Sequence, residues 1–127
     1  MENTLTKEYL AEAKSFLSRT ISKTKYDARE RRGLAFEITI DDVLALLIKQ
    51  QGKCALTGDS LEFTRGGTYK YGTNPNACTI DRIHNSEGYK SWNIQLTCWK
   101  ANCIRGELSL SELKEFCQKV VDNVQHA

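Results

Sequence analysis

The 127-residue chain is 40 % apolar and 27 % charged, a balance that implies one domain with its own core and excludes a disordered or low-complexity polypeptide. No apolar run reaches the span of a bilayer, no secretory leader pattern opens the chain, and five cysteines argue for reduced thiols rather than a disulfide framework, so no membrane partner and a cytoplasmic location are expected. A formal net charge of only +2 confines any nucleic-acid footprint to a local patch.

In chain order, residues 4–22 predict a helix, because Leu10, Ala13, Leu17 and Ile21 recur at helical spacing and Phe16 widens the stripe. The run KTKYDARERRG follows, with Lys23, Lys25, Arg29, Arg31 and Arg32 against Asp27 and Glu30. It reads first as a solvated helix face stopped by Gly33, and second as a phosphate-contacting surface. LAFEIT is a short extended entry. A second helix is predicted from about Asp41 to Gln51, with Ile40, Val43, Leu44 and Leu47 on its buried side and Gly52 as its stop. KCALTGDSLEF reads as a turn at Thr57-Gly58 leading into a strand. Residues 64–77 form a polar loop carrying Tyr69, Lys70 and Tyr71.

Two short alternating runs, Thr79–Ile83 and Asn93–Thr97, predict a hairpin around a polar loop, with a helix starting near Trp99. Trp92 and Trp99 are read as core aromatics. The last helix opens on a capping box, Ser109 with Glu112, and a staple, Leu108 with Leu113. Leu110, Leu113, Cys117, Val120, Val121 and Val124 make an apolar stripe that is assigned to packing.

The hairpin concentrates groups suited to phosphodiester hydrolysis, which needs a cation, a base and stabilisation of the leaving oxygen. A hard cation such as Mg²⁺ takes one or two protein oxygens and keeps several waters. Asp81 at the end of a strand and Asn102 in the first turns of the following helix supply a carboxylate and an amide oxygen. A strand–loop–strand–helix can bring the two together across a shallow cleft.

These residues resemble the HNH endonuclease superfamily. GKCALTG, TIDRI, GYKSWNIQL and Asn102 occur in the order found in a branch of small phage and bacterial proteins that carry DRI where others have DHI. The lead-in RRGLAFEITIDDVLALLIKQQGKCALTG is similar to the same branch, so the resemblance covers about residues 28–122. It implies an α+β fold with an HNH-type ββα-metal hairpin–helix core, N-terminal helices and a C-terminal packing helix. Residues 1–51 would be the helical extension and 52–127 the core with its last helix, together one compact domain. It also implies Asp81 and Asn102 as ligands of one Mg²⁺ or Mn²⁺ ion, Asn93 as the brace of the loop, and DNA as the partner.

Arg82 departs from the pattern, standing where the superfamily has its general-base histidine. Arginine stays protonated and cannot accept a proton, although it can clamp a phosphate. His84, two positions on, is the candidate base, since imidazole titrates near neutrality; a solvated or capping histidine is the alternative. Strict alternation puts Asp81 and Arg82 on opposite strand faces. Lys90, Lys100 and Arg105 lie near the site in sequence and are expected to meet phosphates.

Many members of the superfamily hold a structural zinc on two Cys-x-x-Cys knuckles. Here Cys54 is followed by Thr57 and Cys98 by Ala101, so each knuckle keeps one thiol. Four ligands are required, and no structural zinc is expected; Cys54 and Cys98 would be ligands if one bound. Cys117 is read as packing.

The expected function is metal-dependent DNA cleavage by a phage or mobile-element protein. A nucleic-acid-binding module with a decayed site is the alternative that Arg82 favours, and a protein-interaction or inhibitor domain is the one that the near-neutral charge favours. DNA specificity and oligomeric state are not written in the sequence.

Overall fold

The computed structural model describes residues 5–66 and 72–126; Tyr69, Lys70 and Tyr71 lie outside them. Helix α1 spans Lys7–Tyr26 and starts on Thr6, whose hydroxyl accepts the N–H of Tyr9 at 3.0 Å. It buries Ala13, Phe16, Leu17 and Thr20. The helix runs past its expected end and passes into a π-helical turn, Asp27–Arg31, so the charge run is helical almost to Gly33.

The extended lead-in makes a single parallel bridge, Phe36 with Tyr89, and the two rings sit 5.4 Å apart. Helix α2, Ile40–Lys49, opens on a Thr39/Asp42 capping box and buries Val43 and Leu47. KCALTGDSLEF forms no ladder. It is a turn closed by isolated bridges, Lys53 with Ser60 and Glu62 with Ala77, because its backbone bonds are shared among Gly52, Asn76 and Leu96 instead of one partner strand.

Strands β1 (Cys78–Arg82) and β2 (Ile94–Cys98) pair antiparallel with Cys78 opposite Cys98, Ile80 opposite Leu96 and Asp81 opposite Gln95. Both runs are displaced by about one residue from the expected hairpin, since Cys78 and Cys98 extend the ladder and Asn93 leaves it to hold the loop. Helix α3, Trp99–Arg105, follows β2 directly. One buried cluster draws on Phe16 and Leu17 of α1, Val43 and Leu47 of α2, Leu61, and Ile80 and Leu96 of the hairpin. Truncating Leu47 or Leu96, both fully buried, to alanine costs ~2–5 kcal/mol on the usual scale for such sites.

Helix α4, Leu110–Asn123, has the expected capping box but buries none of its residues. This corrects the packing assigned to its stripe. Leu110 and Leu113 are half-covered, whereas Phe116, Val121 and Val124 are 57 %, 71 % and 54 % exposed, and Cys117 is also exposed. Leu113, Cys117 and Val121 border an open hollow with Ala55, Leu56 and Gln95 instead of packing on them, and periodicity alone does not say what a stripe faces. Trp92 is exposed as well, while Trp99 packs against the core. Among the described residues, no helix is long and apolar enough to cross a membrane.

Candidate functional site

The hairpin has two chemically distinct faces. Ile80, Ile94 and Leu96 join the core. Thr79, Asp81, Gln95 and Thr97 form a polar set: the Thr79 and Thr97 hydroxyls are 2.8 Å apart, and Gln95 Nε2 donates to Asp81 Oδ2 at 3.0 Å. Helix α3 packs on both strands and sends Arg105 into the buried end of β1.

All the N–H directions of Arg105 are taken. Nη1 donates to Asp81 Oδ2 and to the Arg82 carbonyl, each at 2.5 Å; Nη2 donates to the Ile83 carbonyl at 2.9 Å and approaches Asn85 Oδ1; Nε donates to the Leu108 carbonyl at 3.0 Å. The side chain is fully buried. The expected phosphate contact of Arg105 is therefore corrected: no donor is left for an outside anion, and the residue instead ties α3 to β1, the loop and the entry to α4. Asp81 Oδ1, by contrast, accepts from no described residue. It also touches solvent, because every fully enclosed polar side-chain atom has a partner.

Asn102 lies one helical turn before Arg105, so the two share a face of α3, with neighbouring side chains about 5–6 Å apart at their Cβ atoms. Its amide makes no hydrogen bond to a described residue and borders a 670 Å³ cleft shared with Thr79, Lys23, Arg31 and Arg65. Asp81 and the helix of Asn102 are thus brought together, with one oxygen-bearing group unpartnered on each.

The remaining candidates are arranged differently. Asn93 is completely buried and clasps the backbone of His84 from both sides: its Oδ1 accepts the His84 N–H at 2.9 Å, and its Nδ2 donates to the His84 and Gly88 carbonyls. The His84 side chain is exposed and borders a second cavity, 620 Å³, with Glu107, Ser109 and Glu112, not the cleft of Asn102. Arg82 is buried and points into the loop, where Nη1 donates to the Asn85 and Glu87 carbonyls at 2.7 and 2.9 Å and the guanidinium lies 5.6 Å from the Tyr89 ring. A phosphate clamp by Arg82 would have to break those bonds. Lys90 pairs loosely with Glu37 at 3.8 Å, and Lys100 is exposed on α3. The loop also abuts the lead-in: a methyl group on Gly88 would lie 2.5 Å from the Ala35 carbonyl oxygen.

Cys54, Cys78 and Cys98 are buried in one neighbourhood, and Cys54 Sγ accepts the Cys98 N–H at 3.3 Å. Burial pushes the Cys54 thiol up, but hydrogen bonds from Thr57 and from the Cys98, Thr57 and Leu56 backbone outweigh it, so its pKa lies below the ordinary value. Burial, reinforced by Cys54 and Cys98, pushes Cys78 up to about 12. Among the described residues, no three His, Cys, Asp or Glu side chains converge as a metal cage.

Gln95 and Arg65 were not singled out from the sequence. Gln95 faces Asp81 by register alone, so fixing the hairpin register would have found it; Arg65 sits in an irregular loop and carries no such signal.

No family model matches the chain, and no curated protein matches it. Among solved structures, it is similar to the rare-cutting HNH restriction endonuclease PacI, with a TM-score of 0.59 over 83 % of this chain and 76 % of that one, at 24 % identity. At that identity the likeness concerns the fold. The chain has an HNH-like α+β fold, helices around a small two-stranded antiparallel sheet.

Proposed function

We propose that the protein is an HNH-type DNA endonuclease, cytoplasmic and related to phage or mobile elements, whose cleavage depends on one Mg²⁺ or Mn²⁺ ion held by Asp81 and Asn102. One observation carries the reading: Arg105 fixes Asp81 through Oδ2 alone, leaving Oδ1 open, with the unpartnered Asn102 amide one turn away at the edge of the cleft. One carboxylate and one amide oxygen suit a hard cation that keeps most of its waters, and do not suit a closed zinc cage. When bound, such an ion supplies Lewis acidity for charge growing on the phosphate and the leaving oxygen.

The chain's own residues do the rest. Arg105 and Gln95 hold the Asp81 carboxylate in one orientation. Asn93 fixes the backbone of His84, the proposed acceptor of the proton from the attacking water; because the His84 side chain borders the other cavity, that role requires the bound strand to pass both. Arg82 positions the loop between them by bonding its carbonyls.

The test is nicking of supercoiled plasmid with Mg²⁺, Mn²⁺ or EDTA. Asp81→Asn keeps an oxygen for Arg105 but loses the charge, and Asn102→Ala removes a side chain with no hydrogen bond to a described residue; circular dichroism verifies that each is folded, and neither should nick. Full nicking by Asp81→Asn sinks the assignment. A second reading, a DNA-binding module whose cleavage has lapsed, is favoured by the Arg105 charge lying 2.5 Å from Asp81. It requires duplex binding without nicking under any divalent ion.

A further inference from the structure

We infer that the last turns of α1, the π-helical turn and Arg65 form a binding wall for the phosphodiester backbone of duplex DNA, facing Asn102 across the cleft. The inference rests on reading Asp81 and Asn102 as the cleavage site, and it assigns the strand-holding contacts to a part of the chain outside the hairpin and α3.

Thr20, Lys23, Thr24, Asp27 and Arg31 border the cleft, at spacings of three and four residues along α1 and the turn after it. One stripe of the helix therefore faces Thr79 and Asn102. The stripe sorts the charge run: Lys23 and Arg31 turn to the cleft, whereas Lys25, Arg29 and Glu30 border a separate hollow. The π-helical turn prolongs the stripe, carrying Arg31 to the cleft two turns beyond Lys23. Such turns recur at functional sites.

The charges on this wall are poorly compensated from within. Lys23, Arg31 and Arg65 face one carboxylate, Asp27, whose pairs with Arg31 and Arg32 are loose, at 3.6 and 3.9 Å, and exposed. Among the described residues, neither Lys23 nor Arg65 has an ion-pair partner. Arg65 is nevertheless held in place, its guanidinium 4.8 Å from the Phe16 ring centre and one N–H donated to Thr20 Oγ1 at 2.6 Å. Thr20 is itself anchored to the Phe16 carbonyl. A stacked arginine with a single donor bonded to a described residue, next to a lysine and a second arginine, is the chemistry that takes phosphate oxygens. The hydroxyls of Thr24 and Tyr26 on the same wall add neutral donors for phosphate and sugar. A chain with near-neutral total charge can thus present a local basic surface where the strand must lie.

The experiment measures binding of a fluorescein-labelled 20-base-pair duplex by the full chain in EDTA, as anisotropy across a salt series. Lys23→Gln/Arg31→Gln changes two exposed side chains, and Lys114→Gln/Lys119→Gln on α4 makes the same change of charge elsewhere. The first pair should weaken binding several-fold and lower the slope of log K against log salt by about 0.9 per lost contact, near 2 in all. The second should leave both unchanged. Equal loss in both pairs, no loss in the first, or no duplex binding by the unaltered protein overturns the wall. Plasmid nicking separates this from the nuclease reading: binding that depends on Lys23 and Arg31 without nicking keeps the wall and sinks cleavage, and nicking with binding indifferent to the two residues does the reverse.

Discussion

Replacing Arg105 with methionine removes the group on which the site's geometry depends while keeping an unbranched side chain in the space. Five acceptors lose a donor: the Asp81 carboxylate, which keeps Gln95, the carbonyls of Arg82, Ile83 and Leu108, and Asn85 Oδ1. Breaking a buried ion pair from one side costs ~3–5 kcal/mol, because the surviving charge stays behind without a partner. Each neutral hydrogen bond contributes ~1 kcal/mol, but these terms share one side chain and one collapse of the loop, and they do not add. The expected loss is ~3–5 kcal/mol, a large part of the ~5–15 kcal/mol that holds a domain of this kind together. Urea unfolding followed by circular dichroism measures it, as a lower midpoint at an unchanged slope. Arg105→Lys keeps the charge with fewer and differently placed donors, and should fall between the two. An Arg105→Met variant within ~1 kcal/mol of the unaltered protein would refute the view that this residue locks α3 to β1. By the same physics Asp81→Ala strands a buried guanidinium with neither charge nor acceptor; Asp81→Asn also removes the counter-charge but keeps an oxygen for Arg105, and should cost less.

His84→Ala should slow cleavage by ~10²–10⁴-fold and remove one limb of the pH–rate profile, read by plasmid nicking across pH; an unchanged rate and profile would remove His84 from proton transfer. A thiol reagent applied to the native protein should modify Cys103 and Cys117 and spare Cys54, Cys78 and Cys98 until denaturant is added, which mass spectrometry resolves. Elemental analysis after dialysis should find no stoichiometric zinc, since two thiols do not make a four-ligand site; one zinc per chain would contradict this. Because burial raises Cys78 from 9.0 to about 12, the unfolded chain loses that proton first. Its contribution is intact below pH 9 and is lost as pH rises toward 12, by at most ~1.4 kcal/mol per pH unit, a slope that Cys78→Ala should flatten in urea titrations at successive pH values.

The hairpin and the helices were legible because alternation and capping boxes are local signals, and both act within a few residues. Ser109 with Glu112 marked the start of α4, as helical spacing marked Val43 and Leu47 as buried. What escaped was partner choice. An arginine reads the same in sequence whether it meets a phosphate or a buried carboxylate, and only the packing of α3 on β1 commits Arg105 to Asp81. The stripe of α4 has the period of a packed helix, yet it borders an open hollow beside Ala55, Leu56 and Gln95 and buries none of its residues. The basic run after α1 looked like a solvated face because periodicity does not report what stands opposite, and Thr79 and Asn102 come from some fifty to eighty residues further along the chain.

The contact between Gly88 and Ala35 bears on how this protein can be divided. The Tyr89 N–H donates to the Ala35 carbonyl and the Glu37 N–H to the Tyr89 carbonyl, both at 2.8 Å, so the lead-in lies along the hairpin loop as a splint. Only glycine at 88 allows that approach. A graft that moved the hairpin and α3 onto another scaffold, cut at residue 52, would carry Asp81, Asn93 and Asn102 but leave Tyr89 without its two backbone partners and without the Phe36 ring. The smallest transplantable unit therefore begins before Leu34, and the loop that presents His84 is inherited together with the segment that follows the basic wall.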